Sequence, residues 1–272
     1  MIEIVAQHSD SSECLLFYWG LSKSVTQNPT FAIRAFQVSG NLKIGGISGQ
    51  PLMTGIQIEN CRGNVSVDGV EFSPQWNSSS IVLNYQTSNN GLVAIKSLGN
   101  TVNDTRNVVF SHILATYCRV GFLFTGAGVP LGNNTNQRVE ASGNAASVTG
   151  IRIEGPTKRI IVTGYAFVGI QVSTLVGTQG SASECAIHAS DDFGYLNVVN
   201  MTSIGSHENA ILLGRSSLAL LSNLFLQDWA QSGKSIPAIE STGAWVEVYK
   251  PYTFSQKPGS TAPLISGNVH LM

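Results

Sequence analysis

Charge is scarce in this chain. Only 11% of its 272 residues are charged, and 15 Lys and Arg stand against 16 Asp and Glu for a formal net charge of −1. No basic cluster interrupts that balance, which excludes a groove built to track nucleic-acid phosphates. Long apolar runs are missing too: none reaches the roughly eighteen residues of a membrane-crossing helix. Met1-Ile2-Glu3-Ile4 has no basic segment leading into an apolar stretch of export-signal type. The expectations are no nucleic-acid partner and no membrane insertion.

Cysteine is sparse. Cys14, Cys61, Cys118 and Cys185 lie 47, 57 and 67 residues apart with no CxxC spacing, so neither a zinc site nor a disulfide framework is signalled. Buried free thiols are expected, although equivalent positions in successive repeats would bring them together. GxSxG, HExxH and GxxxxGK[ST] are absent, and Gly126-Ala127-Gly128 does not join a strand to a helix, so no organic cofactor is implied. Asp191, Asp192 and Arg152 are too few for a cation site, and no metal is expected. Sequons at Asn64, Asn77, Asn103, Asn133 and Asn200 read as a by-product of a composition rich in Asn, Ser and Thr.

What is present is a repeat of pattern rather than of words. [Gly/Ala]-aliphatic-x-aliphatic begins at Gly55, Gly150, Gly169, Ala186 and Ala210, with looser versions at Gly91, Gly121 and Ala238. Successive starts are 36, 30, 29, 19, 17, 24 and 28 residues apart. Such spacing indicates a solenoid whose insertions vary from coil to coil. A second strand follows: Asn64-Val65-Ser66-Val67, Arg159-Ile160-Ile161-Val162 and Tyr195-Leu196-Asn197-Val198 each carry their first aliphatic ten positions after a start. Asn107-Val108-Val109-Phe110 and Ser217-Leu218-Ala219-Leu220 fit the same template. Short strands with alternating aliphatics, separated by Asn, Gly and Ser, predict an all-β parallel β-helix. With 43% hydrophobic residues the chain can bury a large core, whereas disorder requires more charge and fewer aliphatics.

Three segments follow: residues 1–54 as strands leading into the helix, 55–243 as the repeat region, and 244–272 as a cap or subunit contact. Ser73–Ser80 and Gly126–Ser147 read as surface excursions. The inward ladder is Ile56, Ile58, Phe122, Phe124, Ile151, Ile153, Ile170, Val172, Ile187, Ile211 and Leu213. Outward columns read Gln57, Val93, Leu123, Arg152, Gln171, His188, Leu212 and Glu240, with Glu59, Ile95, Thr125, Glu154, Ser173, Ser190 and Gly214 beside them. Val93, Ile95, Leu123 and Leu212 would be apolar and outward, which predicts an oligomer, most simply a homotrimer.

Gly55 to Val67, Gly-Ile-x-Ile followed by Asn-Val-x-Val, resembles the right-handed parallel β-helix of the pectate-lyase-like superfamily, which includes pectin-degrading enzymes and phage tailspike depolymerases. The Gly-Asp-Gly-x-Thr-Asp-Asp-Thr opening of many members is missing. The resemblance, with an uncharged surface and no export signal, implies a virion protein of tailspike type that binds bacterial surface polysaccharide and cleaves it as a glycosidase or lyase, alongside other virion proteins. Two alternatives stand: a non-catalytic virion structural or decoration protein, and an extracellular bacterial pectate-lyase-like enzyme.

The polar outward patch holds the site candidates. Glu154 is the proposed acid and Asp191 or Asp192 the base, with Arg152, Gln171 and His188 binding sugar. Two coils between Glu154 and the Asp pair would place them roughly 9 to 10 Å apart, close to the separation of an inverting glycosidase. Asp191-Asp192 followed by Ser206-His207 also resembles the aspartates and histidine of polygalacturonase-like enzymes, without the Asn-Thr-Asp and Arg-Ile-Lys segments that accompany them. Against this, paired Asp residues at turns commonly bind local backbone donors, Arg152 and Glu154 can pair on one strand face, and His188 can be merely solvated. Trp76, Trp229 and Trp245 suit sugar stacking, but burial or a subunit contact is the commoner place for tryptophan in a trimeric solenoid.

Overall fold

The computed structural model describes residues 2–5, 12–13, 33–49, 54–72, 93–99, 105–126, 134–155, 157–169, 184–190, 193–231, 234–256 and 258–272. Within them there is no helix. Parallel strands stack into a β-solenoid of about seven turns, as the right-handed parallel β-helix reading requires.

Three faces make up the solenoid. The first sheet stacks β1 (Ile2–Val5), β3 (Ile33–Phe36), β5 (Thr54–Glu59), β7 (Val93–Gly99), β9 (Val120–Gly126), β12 (Thr149–Glu154), β15 (Cys185–Ala189), β17 (Ile211–Leu213) and the start of β19 (Ile239–Ser255). The second runs from β2 (Ser12–Glu13) through β4 (Leu42–Gly49), β6 (Val65–Phe72), β8 (Thr105–Thr116), β10 (Asn134–Glu140), β13 (Ile160–Thr163), β16 (Phe193–Ile204) and β18 (Ser216–Gln227) to the middle of β19. The third uses the far ends of these long strands together with β11 (Gly143–Ala145) and β14 (Ala166–Val168). β20 (Ile265–Leu271) pairs with β19.

A single residue bends the chain between the second and third sheets, and it is left-handed in seven coils. Gly46, Gly69, His112, Ala141, Gly164, Asn200 and Asn223 have φ between 44° and 66°. The register stacks them, since the residues flanking each are paired with those flanking the next. Gly and Asn suit this conformation, and Asn223 Nδ2 donates to Asn200 Oδ1 at 2.6 Å.

The small residue opening each repeat has a packing cause. A Cβ on Gly55 would lie 2.4 Å from the Phe72 ring, and one on Gly150 would lie 2.3 Å from the Tyr165 hydroxyl and 2.5 Å from the Ala186 carbonyl oxygen. The corner between the third and first sheets is filled by side chains from the third, which leaves little room on the first. Inward of it sit Ile56, Ile58, Phe122, Phe124, Ile151, Ile153, Ile187, Ile211 and Leu213, all fully buried. Ile170 and Val172 lie outside the described residues. Phe110 meets Phe122 and Phe124 edge to face, centroids 6.1 and 6.0 Å apart.

Three buried polar contacts tie neighbouring coils of the same stack. Ser97 and Gln137 join at 3.0 Å, Gln137 Nε2 donates to the Thr105 carbonyl, and Asn144 Nδ2 donates to the Ala115 carbonyl. These bonds offset the cost of removing amides from water.

The structure corrects several expectations. Ile56 pairs with Ile95, so the repeat begins at Ala94 rather than Gly91; Ile95 is buried in the core and Lys96 takes the outward place. Ile151 pairs directly with Ile187, so no first-sheet strand from the Gly169 segment intervenes. Leu196 pairs with Ala219, which turns Ala219 and Leu221 inward and leaves Leu218 and Leu220 half-buried on the outer face. Much of the Gly126–Ser147 excursion is strand, with β10 held between β8 and β13. In each case pattern and composition were ambiguous, and pairing with neighbours fixed the register. Trp229 is buried against Phe254, which removes it as a sugar platform. Cys61, Cys118 and Cys185 are buried free thiols.

Candidate functional site

The outer face of the first sheet gathers titratable groups around Arg152. It projects from β12 beside its register partner His188 on β15, because both occupy the x position of the repeat. Two residues along β12, Glu154 approaches with Oε1 2.5 Å from Arg152 Nε. The contact is ionic rather than a directed hydrogen bond: the buried Nε–H has no aligned acceptor in the protein.

Burial and the adjacent Arg152 lower the pKa of His188, while Glu154 and Glu208 pull in the opposite direction. The ring is therefore predominantly neutral at pH 7 and able to accept a proton. Glu184 lies at the entrance of β15, and Glu208 donates its backbone N–H to the Glu184 carbonyl at 3.0 Å. Desolvation first and Glu208 second raise the Glu184 pKa, against the opposing pull of Arg152, Arg119 and His207. The side chain nevertheless keeps solvent-facing surface. A surface carboxyl that holds its proton more tightly than usual, within the influence of a second carboxylate and of Arg152, has the makings of an acid catalyst.

Of the residues expected from sequence, Arg152, Glu154 and His188 come together. Gln171, Asp191 and Asp192 lie outside the described residues. The two-coil separation assumed between Glu154 and the Asp pair is corrected: β12 and β15 are direct neighbours, so one strand spacing of about 4.8 Å separates the strands concerned. Glu184, Glu208 and Arg119 were missed. A signal for the two acids existed: Glu184-Cys185-Ala186 and Glu208-Asn209-Ala210 place Glu two residues before the small residue in consecutive coils. Among the described residues no group of three His, Cys, Asp or Glu is arranged to hold a metal ion.

No protein-family model matches the chain, and no curated protein matches it. Solved structures do. The alginate lyase from Paenibacillus sp. str. FPU-7 superposes with a TM-score of 0.52 at 10% identity, over 88% of this chain and 76% of that one. At that identity the likeness is one of fold, a parallel β-helix. The enzymatically active domain of bacteriophage CBA120 tailspike protein 2 gives 0.45 at 12% identity, covering 88% of this chain and 38% of that one. Geobacillus virus E2 ORF18 gives 0.38 at 10% identity, over 92% and 54%. The chain thus spans well under two thirds of both viral proteins.

Proposed function

We propose that this chain is a tailspike-like β-helix protein that binds bacterial surface polysaccharide on the outer face of the first sheet and cleaves it there. The observation that carries this reading is the set of charged groups that share Arg152: Glu154 is ion-paired with it, it lowers the His188 pKa, and it acts on Glu184, whose carboxyl burial and Glu208 push toward the protonated form. Sugar chains are cut by such sets of acid and base groups. Glu184 gives its proton to the departing glycosidic oxygen as the C–O bond breaks. Glu208, one coil on from Glu184, takes the proton of the attacking water, whose oxygen forms the new bond to the sugar carbon; Asp191 and Asp192 come after the opposite end of β15 from Glu184, too far along the chain to serve the same bond. Arg152, His188 and Gln171 orient the sugar. Glu154, ion-paired with Arg152, fixes the guanidinium and is less suited to the acid role first assigned to it.

The protein acts as a homotrimer on a virion. Support for the assembly comes from the last coils of the second sheet's outer face, from β13 to β19, where Tyr195, Leu218 and the 45% exposed Trp245 stand in one column and Ile161 and Leu220 flank Asn197 in the next. Such a face is suited to burial between subunits.

A non-catalytic virion component is the second reading, favoured by the Arg152–Glu154 ion pair, which uses both groups in a ladder contact. Incubation with capsular polysaccharide or lipopolysaccharide separates the two. New reducing ends mark hydrolysis and unsaturated uronate absorbance marks a lyase. Activity lost in Glu184→Gln and in Glu208→Gln supports the catalytic assignment; product unaffected by both moves the site elsewhere, and no product from any glycan leaves the structural reading.

A further inference from the structure

A second polar feature lies on a different face of the solenoid, away from the Arg152 cluster. An open groove of about 580 Å³ crosses the outer surface of the second sheet, lined by Asn41, Lys43, Asn64, Ser66, Asn107, Val109, Asn136 and Arg138 as well as by Leu42 and Val65. That volume falls within the range of ligand sites.

Two parallel columns build it. Register pairs Lys43 with Ser66, Ser66 with Val109 and Val109 with Arg138, so one column carries a cation at each end. Two residues earlier on each strand, Asn41, Asn64, Asn107 and Asn136 form a ladder of carboxamides. Asn64 Nδ2 donates to Asn41 Oδ1 at 2.9 Å, and Asn136 Nδ2 donates to Asn107 Oδ1 at 2.8 Å. A carboxamide has two N–H donors and two lone pairs on its oxygen, so one bond within each pair leaves most of this capacity for a ligand. No carboxylate lines the groove. Glu13 is the register partner of Lys43 one coil before the groove, and in the next outward column Asp68 is bound to His112 and Glu140 to Arg138. Three rungs of about 4.8 Å place Lys43 and Arg138 on strands roughly 14 Å apart.

We propose that this groove is an auxiliary binding site for a linear acidic polysaccharide, the amide ladder meeting its hydroxyls and Lys43 and Arg138 meeting acidic groups set several sugars apart. The inference rests on the polysaccharide reading above and adds a holding site on a separate face. Amides repeating at the coil spacing suit a ligand that also repeats, and cations at the two ends select for charge along it. Such a site keeps a long chain on the protein between cleavage events at the first sheet.

The test is calorimetric titration with three acidic chains, oligogalacturonate, oligomannuronate and hyaluronan fragments, and with a neutral cello-oligosaccharide of matched length. Lys43→Gln/Arg138→Gln should weaken acidic-chain binding at least tenfold, and Asn107→Gly should weaken it severalfold while keeping the left-handed backbone. Failure of the wild type to bind any acidic chain overturns the proposal, as does equal affinity for the neutral chain. Binding lost in Arg152→Gln but kept in the double variant overturns the groove and leaves the first-sheet reading standing. Groove binding without cleavage of any glycan retires the catalytic reading alone.

Discussion

Arg152 and His188 are register partners on adjacent strands of the first sheet, 36 residues apart in sequence and one strand spacing apart in space. Their proximity sets the protonation of the imidazole. After desolvation, Arg152 is the largest influence lowering the His188 pKa. Arg152→Gln should therefore raise it, because Glu154 and Glu208 then act without an opposing cation. Histidine Cε1–H chemical shifts followed against pH report the change directly; an unmoved midpoint would contradict the coupling. Since the folded-state value lies below the ordinary 6.5, His188 costs stability as pH falls through 6.5 toward that lower value, and costs nothing above it.

Glu184 works in the opposite sense. Its folded-state pKa is raised above 4.5, so its contribution falls as pH rises through 4.5 toward the raised value. Glu184→Gln should flatten this part of the stability profile and be no less stable than wild type at pH 7, while abolishing polysaccharide cleavage. Denaturant melts at pH 4 and pH 7 check the first claim; a variant less stable than wild type at pH 7 would count against it.

The packing at the repeat corner predicts a contrast between two glycines. Gly150→Ala forces a Cβ against the Tyr165 hydroxyl and the Ala186 backbone oxygen and should cost about 1–3 kcal/mol. Gly49→Ala meets nothing within 4 Å and should be near neutral. Equal urea midpoints for the two variants would refute the packing account of the motif.

Tyr165 donates from its hydroxyl to Asn144 Oδ1 at 2.6 Å, both residues being buried. Tyr165→Phe leaves that oxygen without this donor and should cost about 1–3 kcal/mol. Tyr165→Phe/Asn144→Leu should recover part of the loss if the bond is what matters. A double variant at least as destabilised as the sum of the singles would point to shape instead.

Burial raises the pKa of the Cys61 thiol to about 11 and that of Cys118 to about 12, and raises that of Cys185 further still. Thiolate is the reactive form. In a Cys14→Ser background the native protein should resist iodoacetamide at pH 8 and react at all three thiols in denaturant. Rapid native labelling would place at least one thiol at an accessible surface.

The fold was legible in sequence because a solenoid repeats one local problem. Ile56, Ile151, Ile187 and Ile211 follow a small residue because every coil packs the same corner, and that regularity survives without any repeated words. The register was less legible. At Gly91 and at Leu218 the local pattern fits more than one phase, and only pairing with β5 and β16 sends Ile95 and Ala219 inward. The site divides in the same way. Alternation alone sent Arg152, Glu154 and His188 outward, whereas their meeting with Glu184 and Glu208 depended on which coils are neighbours. Sequence determined the periodicity, since side-chain direction is a local property of an extended strand. Tertiary structure decided adjacency, since insertions such as residues 170–183 alter the sequence distance between coils without altering the strand spacing that governs hydrogen bonding and charge interaction.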